Sequence, residues 1–466
     1  MTVIDLERYN PWWIRNEGIE ADPHWRAFRD SRLRWEPKIL QKLDLQKEGV
    51  YTLRGPRQVG KTTLIKIWIS RLLENQVDPR AVFYYSCDLL NDKKELFAVL
   101  EQYQNISLNR GFKHRYIFLD EVTLIEDWQQ ALKQAVDLGW VQNATILASG
   151  SSAVDLRRGA ERMPGRRGPA EKLDWVLMPL SFGEFLKYCH PEVPKLTLSP
   201  DPLLLRRETP NLMADWLSFA PRFQFALEEY LKTGGFPLAL EQYLRQGEVD
   251  QSLRQTYLSV LRSDVEKLRR NRAILHNLLA RIVRTEGSPQ SWQSLSKDAG
   301  VGSPNTAIDY VEILGDSFLL FVLQALDRNR KAAEPKKDKK IYFCDPLIRD
   351  SVLKDLGLPG LPLERKVEAA VGFHLIRLFE KNPEEGLSYL NKVYYWRNVK
   401  GKEVDFVALN EKEVLPLEVK FQESINKEDY SLIQRSFGSG IVVTKSVLEQ
   451  REGILFLPAA LFLQLE

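Results

Sequence analysis

The sequence predicts a multidomain α/β chain, on three observations. Its 466 residues suffice for about three units of the usual ~100–200 residues each. From about residue 49, short apolar or β-branched runs alternate with helix-length amphipathic segments. A glycine-bearing loop, Gly55-Pro56-Arg57-Gln58-Val59-Gly60-Lys61-Thr62-Thr63, stands between the first such run and the helical segment after it. A hydrophobic content of 44% and a charged content of 28% belong to an ordinary globular chain. No stretch approaches the ~18 uninterrupted apolar residues of a membrane span, so solution rather than membrane is expected. The opening MTVIDLERYNPWW lacks the pattern of a secretory signal, and Cys87, Cys189 and Cys344 form no CxxC pair. A reducing cytoplasm is therefore expected. None of the five histidines is spaced for a metal, so chemistry must rest on carboxylates, Lys and Arg. A net charge of +3 is too small to announce nucleic-acid binding, and local clusters must decide it.

The elements follow in order. Residues 1–45 read as an N-terminal arm in which Trp12, Trp13 and Trp25 lie close to prolines. Such aromatics either stack on bases or pin an extended arm to a core, and pinning is the expected use. Residues 46–190 carry five strand-like runs, GVYTLRG, AVFYYSC, RYIFLDE, ATILASG and LDWVLMPL, whose continuous apolar character fits parallel strands covered on both faces. Residues 191–275 lose the strand signal for helical spacing and look like a helical lid. Residues 276–343 read as two helices and two strands, the simplest fold being a winged helix; Ser303 is placed to cap the second helix and Pro304 to start it. The wing, DRNRKAAEPKKDKK, has seven basic residues, Arg328, Arg330, Lys331, Lys336, Lys337, Lys339 and Lys340. Phosphate contact is the favoured use and a solvated linker the competing one. The second helix, PNTAIDYVEILGD, has no Arg or Lys, which points to shape or backbone binding rather than base reading. Residues 344–466 again mix a helix with strands, an α/β pattern too small to repeat the first domain.

The glycine loop satisfies G-x-x-x-x-G-K-[ST] through Gly55, Gly60, Lys61 and Thr62, between a strand and a helix as that phosphate-binding loop requires. Backbone N–H groups there cradle phosphates, Lys61 reaches the β- and γ-phosphates of ATP, and Thr62 ligates Mg²⁺. At IFLDE, Asp120 can hold the Mg²⁺ shell and Glu121 can activate the attacking water, although acids at strand ends are often merely solvated. Ser151, at the end of the next strand, can sense the γ-phosphate. A loop with Arg157, Arg158, Arg162, Arg166 and Arg167 follows, either delivering an arginine finger to a neighbouring subunit or facing solvent or DNA.

The combination of GPRQVGKTT, FLDE, SGSSA, GRRG followed by LMPLSFGEFL, and GGFP resembles the AAA-type ATPases of bacteria and archaea that carry a C-terminal domain of the PD-(D/E)xK nuclease fold. The likeness runs from about residue 35 to the end. It implies an AAA+ core of the ASCE type, with an extra strand between the P-loop and acidic-pair strands, followed by a helical lid, a winged helix and the nuclease-like domain. It also implies ring-like homo-oligomers and suggests Arg166 as the finger. For the last domain it implies a second Mg²⁺ site from Glu368, Asp405 and Glu418, beside Lys420. Alternation along LEVK puts Glu418 and Lys420 on one face, as such a site needs. The expected function is Mg²⁺-dependent ATP hydrolysis coupled to DNA binding and remodelling by an oligomeric motor, including helicase action or branch migration on branched DNA such as Holliday junctions. The alternatives are an ATP-gated metal-dependent DNA nuclease and a regulatory ATPase switch that recruits a protein partner.

Overall fold

The structure, a computed structural model, describes residues 5–108, 110–194, 202–267, 271–380, 386–410 and 414–465. Residues 1–4 of the expected arm, 195–201 and 268–270 of the lid, and 381–385, 411–413 and 466 of the last domain lie outside them. The chain divides into two compact units, Met1–Met178 and Pro179–Glu466. Among the described residues Cys87, Cys189 and Cys344 are free, and no helix is long and apolar enough to cross a membrane.

The first unit is built on five parallel strands: β1 (Gly49–Arg54), β2 (Val82–Ser86), β3 (Arg115–Asp120), β4 (Ala144–Ser149) and β5 (Asp174–Val176). Their order is β2-β3-β4-β1-β5, so β4 separates β1 from β3. β1, β3 and β4 are buried along their whole lengths, which explains why they read as apolar runs without alternation. Helices Lys61–Glu74, Lys93–Leu108, Trp128–Asp137 and Ala153–Glu161 lie between or after the strands. Because neighbouring strands run in one direction, the loops after β1, β3 and β4 meet at one edge of the sheet.

The arm closes the free side of β2. The Asn10 amide donates to Tyr84 O at 3.0 Å and accepts from Tyr84 N–H at 2.7 Å, while the indoles of Trp12 and Trp13 both donate to Val82 O at 2.9 Å. Side chains thus satisfy an edge strand that would otherwise invite pairing. Trp12 and Trp13 are buried, which removes them as base-stacking platforms; Trp25 is half-buried and donates to Glu20. Asp22 of the arm forms an ion pair of 2.9 Å with Lys66 on the helix after the P-loop, and the Lys66 ammonium sits 3.1 Å from the centroid of the Tyr84 ring. Burial lowers the Lys66 pKa, and Asp22 opposes that effect.

The second unit starts with the helix Phe182–Cys189, which a reciprocal capping box of Ser181 and Glu184 fixes, and continues through helices Pro202–Thr233, Pro237–Gln246, Gln251–Lys267 and Arg272–Arg284. The LSF and GGFP stretches meet here: Leu180 N–H donates to Gly235 O at 2.8 Å, and a Cβ on residue 235 would lie 2.3 Å from Leu180 O, so glycine is required. The buried Asp345 carboxylate accepts from Gly235 N–H at 2.8 Å, and burial pushes its pKa up to about 6. The compact boundary at 178 precedes the one expected at 190. The boundary expected at 275 falls inside the helix Arg272–Arg284, whose start is fixed by Asn271 accepting from Ala273 N–H.

Helices Trp292–Asp298 and Pro304–Asp316 follow, the second capped by Ser303 with Pro304 at its start. Next come β6 (Leu320–Gln324), β7 (Leu326–Asp327), β8 (Ala332–Ala333) and β9 (Lys339–Phe343), with β6 antiparallel to β9 and β7 antiparallel to β8. Arg328, Arg330, Lys331, Lys336 and Lys337 are exposed, but Lys339 and Lys340 belong to β9 and are buried. These two are therefore not available to a phosphate backbone, a correction to the seven-residue basic wing.

After helices Pro346–Asp355 and Leu363–Phe379, six strands form a mixed sheet: β10 (Val393–Arg397), β11 (Glu403–Leu409), β12 (Val414–Lys420), β13 (Gly440–Thr444), β14 (Glu449–Arg451) and β15 (Ile454–Pro458), ordered β10-β11-β12-β13-β15-β14. Leu326 of β7 packs into the core of this sheet with Tyr394, Val404, Val407 and Phe456.

Candidate nucleotide site and C-terminal carboxylate cluster

The P-loop turns sharply out of β1. Gly55 has φ +146°, and a Cβ there would lie 2.2 Å from Leu177 O, so another residue would collide with the strand β5 neighbourhood. Gln58 (φ +64°) and Gly60 (φ +97°) complete the turn, Val59 is buried beneath it, and Pro56 is buried beside half-buried Arg57. The helix Lys61–Glu74 then begins with no side-chain cap and no acid in its first turn, leaving its N–H groups and positive dipole end for an anion. Lys61 is buried and folds back over the loop, donating to Gly55 O at 3.0 Å and Pro56 O at 3.1 Å. Thr62 and Thr63 occupy the first helical turn.

The acidic pair lies next to it. Thr62 Oγ1 donates to Asp120 Oδ2 at 2.7 Å. Asp120 is 2% exposed; the Ser149 hydroxyl bonds to its Oδ1, and the Tyr84 hydroxyl donates to its Oδ2 at 3.3 Å. Burial, then the Asp120 charge, raise the Tyr84 pKa well above its usual value, which keeps the phenol a donor. Ser149 and Tyr84 escaped the sequence reading. Ser149 is the last residue of a strand like Asp120, a signal that strand-end polar residues next to a P-loop belong in the candidate set. Glu121 adopts a left-handed conformation (φ +57°, ψ +32°), and its Oε2 accepts from Ser151 N–H at 2.9 Å. Ser151 thus contributes its backbone here. A non-glycine residue in that region costs about 1–3 kcal/mol, and such cost concentrates at working sites. A hydroxyl and a carboxylate side by side form the hard-oxygen set that suits Mg²⁺.

The two arginines of GRRG differ. Arg167 reaches back to the sheet, donating to Val50 O at 3.1 Å and to Leu173 O at 3.1 Å, and pairs both of its terminal nitrogens with Asp174 at 2.7 and 3.0 Å. Burial works against the Asp174 carboxylate, yet the Arg167 hydrogen bonds and charge outweigh it and lower its pKa. Arg166 is exposed and rests on the exposed Asp137 at 2.8 Å. Arg162 lies 3.5 Å from Asp127, and Arg157 3.7 Å from Glu161.

In the second unit, Glu368, Asp405, Glu418 and Lys420 come together. Asp405 N–H donates to Glu418 Oε2 at 3.3 Å, Val419 N–H donates to Asp405 Oδ2 at 2.9 Å, and Lys420 Nζ lies 2.8 Å from Glu418 Oε1. Glu368 Oε1 accepts from the Tyr342 hydroxyl at 2.7 Å. Burial first, and the Asp405 charge second, raise the pKa of both Glu368 and Glu418. Lys340 joins them, 3.1 Å from Glu403 and 3.7 Å from Asp405. Among the described residues no group of three or more His, Cys, Asp or Glu is arranged to hold a metal ion. A cavity of about 650 Å³ elsewhere in this unit, lined by Leu258, Arg262, His276 and Asp355 among others, contains none of the expected site residues.

Residues 47–186 match the AAA domain family, residues 224–357 a domain of unknown function (DUF8612), and residues 366–462 another domain of unknown function (DUF4143). Parallel sheet, P-loop and family match agree that residues 47–186 form an AAA-type P-loop domain. No curated protein matches the chain. Among solved structures, it is similar to the Walker-type ATPase PABY2304 of Pyrococcus abyssi, at 14% identity and a TM-score of 0.40 over 70% of this chain and 95% of that one. It is also similar to the ORC2 protein of Aeropyrum pernix in ADPNP–ADP complexes, at 13% identity and a TM-score of 0.37 over 74% and 95%. A third, the replication initiator DnaA bound to AMPPCP and single-stranded DNA, gives 12% identity and a TM-score of 0.27 over 67% and 88%. These scores are too low to bear on function.

Proposed function

We propose that the protein hydrolyses MgATP in its first unit and couples turnover to DNA binding and remodelling as a homo-oligomer, a ring being one such form. The observation that carries the ATPase part is the convergence of Thr62, Asp120 and Glu121 at one edge of a parallel sheet, beside an uncapped helix N-terminus. In this reading Gly55 to Thr63 cradle the phosphates and Lys61 leaves its backbone carbonyls for the β- and γ-phosphates. Thr62 and Asp120 hold Mg²⁺, which offsets phosphate charge when bound. Glu121 orients the attacking water and accepts its proton, with the Ser151 N–H holding the carboxylate in place. Ser149 and Tyr84 orient Asp120.

Coupling to DNA is supported by the exposed Arg328, Arg330, Lys331, Lys336 and Lys337, placed on and after the β7–β8 hairpin as in a wing behind a helix pair. Titrating linear and four-way DNA into an ATP turnover assay is the test. Stimulation by DNA, greater with the four-way form, is expected; turnover indifferent to both defeats the coupling.

Arg166 and Arg167 separate by experiment. With Arg166 as the finger on a neighbour's ATP, Arg166→Ala lowers turnover by about 10³-fold or more while melting temperature stays put, because an exposed pair contributes at most about 1 kcal/mol. Arg167→Ala instead destabilises the unit by about 1.5–3 kcal/mol, since it strips hydrogen bonds from a charged partner. Turnover unaffected by Arg166→Ala would remove it as the finger.

A further inference from the structure

Lys340 projects from β9 with its side chain 3% exposed, 3.1 Å from Glu403 Oε2 and 3.7 Å from Asp405 Oδ1. Tyr342, two residues on and hence on the same face of β9, gives its hydroxyl to Glu368. One strand therefore inserts an ammonium and a hydroxyl among carboxylates supplied by the helix Leu363–Phe379 and by β11. Five of the six carboxylate oxygens that a metal would draw on are engaged. Asp405 Oδ1 faces Lys340 and Oδ2 accepts from Val419 N–H; Glu418 Oε1 is held by Lys420 and Oε2 accepts from Asp405 N–H; Glu368 Oε1 accepts from Tyr342. A divalent cation requires several such oxygens together at roughly 2.0–2.6 Å, displacing these partners. The residues present do not fit the metal site that the likeness to nucleases implies.

We infer that Lys340 is the built-in cation of this cluster in place of a divalent metal, and that the cluster is a charge lock fastening β9 to the C-terminal sheet rather than a metal-dependent cutting centre. The same joint is made at other points. Ala325 bridges to Tyr395, the Tyr395 hydroxyl donates to Asp338 O at 2.7 Å, and the Arg328 guanidinium lies 4.2 Å from the centroid of Phe437. The basic hairpin is thereby tied to the C-terminal sheet, so that under the DNA contact proposed above a strand touching it bears on that sheet without any ligation chemistry.

Calorimetric titration of Mn²⁺ into the nucleotide-free full chain tests this apart from the ATPase reading, because no ATP is present. The wild type is expected to show no Mn²⁺ binding that Asp405→Asn removes. Lys340→Met, which keeps the stem and deletes the charge, is expected to gain a site at least about tenfold tighter, given one unit charge removed from ~4 Å away. Lys340→Arg should gain none, and Lys340→Met combined with Asp405→Asn should lose what Lys340→Met gained. Mn²⁺ binding by the wild type that disappears in Asp405→Asn overturns the inference, as does a folded Lys340→Met chain that binds no Mn²⁺. Should Lys340→Met fail to fold, the wild type against Asp405→Asn decides alone.

Discussion

Glu121→Gln leaves ATP affinity unchanged and lowers turnover by about 10²–10⁴-fold, the usual worth of a positioned proton acceptor. Glutamine keeps the size of the side chain and an oxygen for the Ser151 N–H, so the left-handed turn at residue 121 is retained. What it loses is the ability to take a proton from water. Phosphate release measured beside equilibrium binding of a fluorescent ATP analogue separates the two effects. Wild-type turnover in Glu121→Gln would place the base elsewhere. If the proposed homo-oligomer forms on ATP, the same variant, holding ATP on the protein, shifts the solution mass upward.

Asp22→Ala destabilises the first unit by about 3–5 kcal/mol, the cost of stranding a buried charge by removing its partner. Lys66 has a side chain 2% exposed and faces Asp22, so an unpaired ammonium has no route to water without opening the arm. Replacing both, Asp22→Ala with Lys66→Met, recovers most of the loss, because apolar packing substitutes well for a buried ion pair. Urea denaturation of the three variants measures this, and a single variant as stable as the wild type would show that the arm is not anchored there. The anchoring also bears on chemistry, since the Lys66 ammonium lies over Tyr84, whose hydroxyl reaches Asp120.

The five strands of the first unit were legible because strands buried on both faces leave unbroken apolar runs, and the P-loop because its geometry demands glycine and lysine at fixed spacing. That Thr62 meets Asp120 followed from the same logic. Tyr84 and Ser149 were not legible: each looks like strand filler until β2, β3 and β4 are placed side by side. The arm's role was half visible. Trp12 and Trp13 beside Pro11 suggested pinning, but nothing in the sequence tells that Asn10 closes the edge of β2. The basic run before residue 341 misled most. Charge content alone assigned Lys339 and Lys340 to a phosphate-contacting wing, whereas pairing with β6 buried both, Lys339 against the carbonyls of Pro335 and Lys337 and Lys340 against carboxylates that come from more than sixty residues later in the chain.

The decisive measurement is phosphate release from ATP by the purified chain, wild type against Lys61→Ala, with Mg²⁺ present and then removed by chelation. Hydrolysis by the wild type that falls to background in Lys61→Ala and on removing Mg²⁺ is the expected result. Equal turnover by the two proteins, or turnover indifferent to Mg²⁺, would contradict a working ATPase at this site.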